Sequence, residues 1–174
     1  MSTQSLTVNT ITSHTGTVTI EGNINLSPLT TSAFIQKTWN LTHTNLFDKI
    51  SATWTGADVD ICGEQKIIRP ECKKQEVFRE FMLGKHRFLR IQGRIGFVGE
   101  WQGEFVRIKA DNKVVWNRRG YANSEFGPCG RLIPFDIVIP HIAEEVSLMF
   151  ESDLENEDCM TRFSVSEFNL LIKE

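Results

Sequence analysis

Between residues 86 and 116 apolar and polar side chains alternate almost without a break. Leu89, Ile91, Ile95 and Phe97 share one parity, and Arg90, Gln92 and Arg94 take the other. A repeat of two turns one set toward a core and the other toward water, which is the signature of a half-buried β-strand. After the link at 99–103 the pattern restarts with Val106, Ile108 and Ala110 opposite Phe105, Arg107 and Lys109. Asp111-Asn112 then turns the chain into Lys113-Val114-Val115-Trp116. Three consecutive strands in an antiparallel meander are predicted.

The same reading extends in both directions. A first strand is expected from about Leu46, carrying Ile50, Ala52 and Trp54 and closing at Thr55-Gly56. An irregular loop follows from Cys62 to Cys72. Residues 76–83 fit a helix through Phe78, Phe81 and Met82 or a strand through Val77, Arg79 and Phe81, and the stretch is too short to separate the two. A polar loop is expected at 117–131, where long excursions on β-scaffolds tend to carry binding residues. Phe135, Ile137 and Ile139 alternate as one strand, and Val146, Leu148 and Phe150 as the next. In the last strand Phe163 and Val165 are odd while Phe168, Leu170 and Ile172 are even. One extra residue near Ser166-Glu167, a β-bulge, would keep all five on the core face. The fold class expected over 46–174 is therefore all-β, an antiparallel two-sheet sandwich of jelly-roll type.

Residues 1–27 are poor in charge and rich in Thr, Ser and Asn, with Leu6 and Val8, then Val18, Ile20, Ile24 and Leu26, on single parities. They predict an N-terminal β-ribbon extension, joined to the sandwich by a connector at 28–45. A lone hairpin is marginal in water, so its apolar face needs a cover. Either it adds a strand pair to the main domain or it intertwines with the same segment of other subunits, which also removes open strand edges.

At 174 residues the chain has room for one full core and a short appendage. With 40% hydrophobic and 24% charged residues it is not a disordered composition. A net charge of −3 makes no field that would gather nucleic acid. No apolar run is long enough for a membrane helix, and the first residues lack a basic head and an apolar signal core. Four cysteines, Cys62, Cys72, Cys129 and Cys159, allow three disulfide pairings and fit no zinc spacing. A Cys62–Cys72 pairing would pin the loop between them. The sequons Asn25-Leu26-Ser27 and Asn40-Leu41-Thr42 matter only for a secreted chain.

Catalytic signatures are missing: there is no nucleophile elbow, phosphate loop or zinc-protease helix, and a non-enzymatic protein without cofactor or metal is expected. The acidic residues Asp153, Glu155, Glu157 and Asp158 lack the EF-hand arrangement, and His14, His43, His86 and His141 are scattered. Trp101, Glu104, Arg118, Arg119 and Tyr121 form the candidate ligand-binding set. A sugar ring can lay its apolar face on an aromatic while its hydroxyls pair with guanidinium groups. The plainer alternative is that Trp101 and Trp116 are both core.

The opening wording, Leu-Thr-Val-Asn-Thr-Ile followed by Gly-Thr-Val-Thr-Ile-Glu-Gly-Asn-Ile, resembles the N-terminal segments of phage and other viral fibre and tail-spike proteins. The main domain resembles a β-sandwich of ciliate and algal surface proteins. The matching residues are Trp54, Cys62-Gly63, Phe78, the strand from His86 to Ile91, the turn from Gly99 to Glu104, Val115-Trp116, Cys129-Gly130, His141 and Arg162-Phe163-Ser164-Val165. Two departures stand out. The family turn has Asp on both sides of its Trp, where this chain has Glu100 and Gln102. The family's last strand opens Glu-Ser-Phe-Gly, where this chain has Thr161-Arg162. A cation site built on those acids would lack its carboxylate ligands at Gln102, Thr161 and Arg162.

Together these readings lead to an expectation of a structural virion component, a fibre, spike or decoration protein. It would assemble as a homotrimer with other virion proteins and bind host-surface glycans through its sandwich. The competing expectation is a monomeric, cellular, lectin-like carbohydrate-binding module located outside the cell.

Overall fold

A computed structural model describes residues 39–44, 54–72, 75–126, 129–155 and 159–174. All of them fall in the unit Ile35–Glu174. The expected ribbon at 1–27, most of the connector at 28–45 and the start of the first expected strand lie outside the described residues. Ten strands form among the described residues, the period-two stretches among them. They are β1 (Asn40–Thr44), β2 (Ala57–Cys62), β3 (Gln65–Pro70), β4 (Glu76–Met82), β5 (Phe88–Val98), β6 (Trp101–Ala110), β7 (Lys113–Ala122), β8 (Arg131–Pro140), β9 (Glu145–Ser152) and β10 (Arg162–Lys173). The only helical geometry described is a 3-10 turn at Ser124–Phe126.

Two antiparallel sheets form a sandwich. One runs β2-β3-β10-β5-β8, with β1 also paired to β10, and the other runs β4-β9-β6-β7. The inward parity of β5, with Leu89, Ile91, Ile95 and Phe97 all fully buried, faces Val106, Ile108 and Ala110 of β6 across the core. Trp54 fills the space between the sheets, its ring 5.7 Å from those of Phe81 and Phe150 and 5.6 Å from that of Phe168. Each such aromatic pair contributes about 0.5–1.5 kcal/mol beyond its buried area.

Several expectations hold at the level of single residues. Asp111 and Asn112 adopt φ of 50° and 64°, which is what a two-residue hairpin turn requires, and β6 pairs β7 directly across them. In β10 the register against β5 shifts between Ser166 and Asn169, Glu167 has φ of 51°, and Phe163, Val165, Phe168, Leu170 and Ile172 are all buried. Residues 76–82 take the strand alternative, with Val77 and Phe81 inward.

Other expectations are corrected. β5 and β6 do not pair as a meander, because Gly99 (φ 81°) and Glu100 carry the chain from one sheet to the other. The stretch from Cys62 to Cys72 is the turn and second strand of a hairpin, since β2 and β3 pair from Ala57↔Pro70 to Cys62↔Gln65 around Gly63. Strand β7 continues to Ala122, so the loop expected at 117–131 shrinks to the residues after it. Asn40–Thr44, expected as connector, is a strand on β10.

The four cysteines pair as Cys62–Cys129 and Cys72–Cys159, with Cα separations of 5.3 and 4.9 Å. They span 67 and 87 residues. Cross-links closing loops of that size restrict the unfolded chain by roughly 4 kcal/mol each in the chain-entropy account. Cys62–Cys129 ties the end of β2 to the residues just before β8, which anchors one end of the β7–β8 connection.

Candidate functional site

Strand β7 is the edge of its sheet and β8 the edge of the other, and the two lie on the same side of the sandwich, where Trp116 packs on Phe135 at 5.9 Å. The run Asn117-Arg118-Arg119-Gly120-Tyr121 sits on that edge. Gly120 is buried, and a Cβ there would fall inside the van der Waals shells of Trp101 and Phe97. The missing side chain lets β7 close over the core and leaves its polar neighbours facing out. Tyr121 lies over Gly103, its hydroxyl 3.3 Å from where a Cβ on that glycine would stand, and stays 54% exposed.

Around Tyr121 a groove of about 410 Å3 is lined by Phe105, Asn117, Arg118, Arg119, Arg131 and Ile133. The Arg119 guanidinium lies 4.8 Å from the centre of the Phe105 ring, and Arg107 approaches the same ring at 5.3 Å. Arg131 donates from Nη1 to the carbonyl of Tyr121 at 3.3 Å. Asp153 accepts the Phe105 N–H and pairs with Arg107 at 3.0 Å, which holds β6 beside the groove. Beyond β7, Asn123 Oδ1 accepts the N–H of Glu125 at 3.2 Å and begins the short turn toward β8.

The lining offers guanidiniums, an amide, a phenol and apolar ring faces. Among these lining residues there is no carboxylate, histidine, serine or cysteine, and the arrangement offers hydrogen-bond donors beside apolar faces. Among the described residues no three His, Cys, Asp or Glu side chains gather as a metal site, and no helix is long and apolar enough to cross a membrane.

Of the five residues expected to bind ligand, Arg118, Arg119 and Tyr121 meet in the groove. Trp101 does not. It is 3% exposed, its ring stands against Phe97 at 4.8 Å, and its indole N–H donates to the Val98 carbonyl at 3.0 Å, so it fills the corner where the chain changes sheets. Glu104 also lies off the groove, its carboxylate accepting the Gln102 N–H at 2.7 Å. Phe105, Asn117, Arg131 and Ile133 were missed by sequence reasoning. Phe105 left a signal, a phenylalanine on the wet parity of its strand, and Asn117 and Arg131 bound the stretch expected to carry binding residues; Ile133 left none, because only the packing of β8 brings it beside β7.

No protein-family model matches the chain, and no curated protein does. Solved structures do share its fold. The CBM22-1 xylan-binding domain of Paenibacillus barcinonensis Xyn10C is 14% identical, covers 78% of this chain and 98% of that domain, and superposes with a TM-score of 0.50. The CBM22-1-CBM22-2 tandem of the same protein is 14% identical, with 79% of this chain and 47% of the tandem covered and a TM-score of 0.54. Dimeric latent PorU of Porphyromonas gingivalis is 10% identical over 79% of this chain and 13% of its own, with a TM-score of 0.53. At such identity the likeness establishes the β-sandwich fold. Nothing in these comparisons supports the resemblance to viral fibre stems or to ciliate surface proteins.

Proposed function

We propose that this protein is a non-catalytic carbohydrate-binding module that holds a glycan in the groove between β7 and β8. The observation that carries the reading is Tyr121, a half-exposed ring braced on Gly103 beside the guanidiniums of Arg118 and Arg119. A sugar ring can lie on the phenol face while its hydroxyls accept from the arginines and donate to or accept from the Asn117 amide. The fold shared with a xylan-binding domain agrees with this assignment. Two disulfides among the described residues fit an oxidising, extracellular setting. The virion and homotrimer expectation rests on residues 1–27, outside the described residues, and nothing in the sandwich favours it.

The test is isothermal titration and affinity electrophoresis of the full chain against a panel of soluble polysaccharides. At least one is expected to bind, and Tyr121→Ala is expected to weaken it by about tenfold or more with an unchanged melting temperature. Silence across the panel, or a Tyr121→Ala variant that binds like the parent, overturns the proposal.

A further inference from the structure

Elsewhere on the sandwich five half-buried arginines are matched by acids, while among the described residues Arg79 and Arg87 stand singly and apart from one another. Arg90 pairs with Asp136, Arg94 with Glu167, Arg107 with Asp153, Arg69 with Asp60 and Arg162 with Asp58. The groove departs from that pattern. Arg118, Arg119 and Arg131 all line it, its lining holds no carboxylate, and among the described residues none of the three has an acidic partner. This occurs in a chain whose net charge is −3, so the positive field is local and not a property of the whole molecule.

Three like charges around one depression repel one another, and an anion entering it relieves that repulsion. Two of the three are already oriented, Arg119 on the Phe105 ring and Arg131 by its bond to the Tyr121 carbonyl. Each uses one face or one N–H for this and keeps the remaining donors for a ligand, while Arg118 donates to no described residue. The planar fork of a guanidinium matches the two oxygens of a carboxylate or the tetrahedral oxygens of a sulfate.

We propose that the groove selects saccharides bearing an acidic group, a carboxylate or a sulfate, over neutral ones. The acid sits among the three arginines and the ring that carries it rests on Tyr121. This rests on the glycan-binding reading above and adds the ligand's charge to it.

The experiment compares oligomers that differ only in charge, each titrated into the full chain. One arm uses oligogalacturonate against its methyl ester, and the other a sulfated galactan oligomer against its desulfated form. The arm that binds identifies carboxylate or sulfate as the group recognised. The acidic member of one pair is expected to bind at least about tenfold tighter, since a charge-assisted bond is roughly twice as strong as a neutral one. That advantage is expected to shrink as salt rises from about 50 to about 500 mM. Arg118→Gln and Arg119→Gln are each expected to remove most of the difference, and neither is expected to change the melting temperature. Equal binding of charged and neutral members overturns this inference and leaves the glycan-binding reading standing. Inorganic sulfate that displaces the acidic oligomer at equal charge concentration also overturns this inference, and it counts against the glycan-binding reading as well, because the sugar would then contribute nothing. Absence of binding to all four oligomers, together with silence across the wider panel, removes both.

Discussion

His86 Nε2 lies 2.8 Å from His141 Nδ1, although the two residues are 55 apart in sequence. The rings are nearly parallel, their planes 13° apart, and both side chains are buried. At one end His86 Nδ1 stands 2.6 Å from the Gly84 carbonyl, and at the other His141 Nε2 stands 3.0 Å from Asp111 Oδ2. Asp111 in turn accepts the Ser147 N–H at 3.0 Å. This chain of bonds ties the start of β5, the end of β8 and the β6–β7 turn together at one end of the sandwich. Because the carbonyl and the carboxylate are both acceptors, the chain closes only when the four ring nitrogens share three hydrogens.

Cutting that chain at Asp111 leaves a buried ring nitrogen without its partner. Asp111→Gly tolerates the positive φ but removes both bonds, and is expected to lower stability by roughly 1–3 kcal/mol. Asp111→Asn, whose amide can both donate and accept, is expected to cost less. Urea unfolding of the two variants checks the order. Equal stability of Asp111→Gly and the parent would show that the histidine pair is held by packing alone.

The Arg90–Asp136 pair on the outer face between β5 and β8 sets an acid-side pH dependence. Arg90 donates from Nε and Nη2 at 2.8 and 2.6 Å, and Gln92 adds a bond at 3.0 Å. Hydrogen bonds from Arg90, partly opposed by burial and helped by Gln92, hold the Asp136 carboxyl below its usual range, while the same bonds raise the Arg90 guanidinium. A depressed carboxyl contributes stability above its unfolded value of about 3.9, and that contribution is lost as pH falls through the lower folded value. Asp136→Asn is expected to cost under about 1 kcal/mol at neutral pH, because the pair is partly solvated, and to converge with the parent in strong acid. Melting temperatures from pH 2 to pH 7 measure this (about one unit per step resolves the carboxylate range). A gap that widened toward acid would contradict the sign.

The bulge at Glu167 decides which face of β10 is buried. Deleting Glu167 shifts Phe168, Leu170 and Ile172, all buried, to the other parity, and loss of the cooperative unfolding transition is expected. Glu167→Gly keeps the extra residue, eases a φ of 51° and gives up bonds to Arg94 at 2.8 Å and Gln65 at 3.2 Å. Its stability is expected to stay within about 1 kcal/mol of the parent. A deletion variant that folds normally would mean that the register is set elsewhere.

Strands β5, β6, β8, β9 and β10 with their inward residues, the Asp111-Asn112 turn and the Ser166-Glu167 bulge were legible in the sequence, because parity along a strand is a local property that repeats every two residues, whereas β1, β3 and the second half of β7 carry too little alternation to show it. It says which side chains share a face. It does not say which strand lies beside which. The alternation through 86–116 reads the same whether β6 pairs with β5 or crosses to the other sheet, and only hydrogen bonding to β9 and the packing of Trp101 in the corner decide it. Cys62 finds Cys129, and His86 finds His141, across separations that carry no local signal. The groove divides in the same way: Arg118, Arg119 and Tyr121 stand together on one strand and could be read as a set, whereas Arg131 and Ile133 join them because the edges of two different sheets meet there. Contacts of that kind depend on burying two apolar faces against each other, a property of the folded pair of sheets and not of either strand.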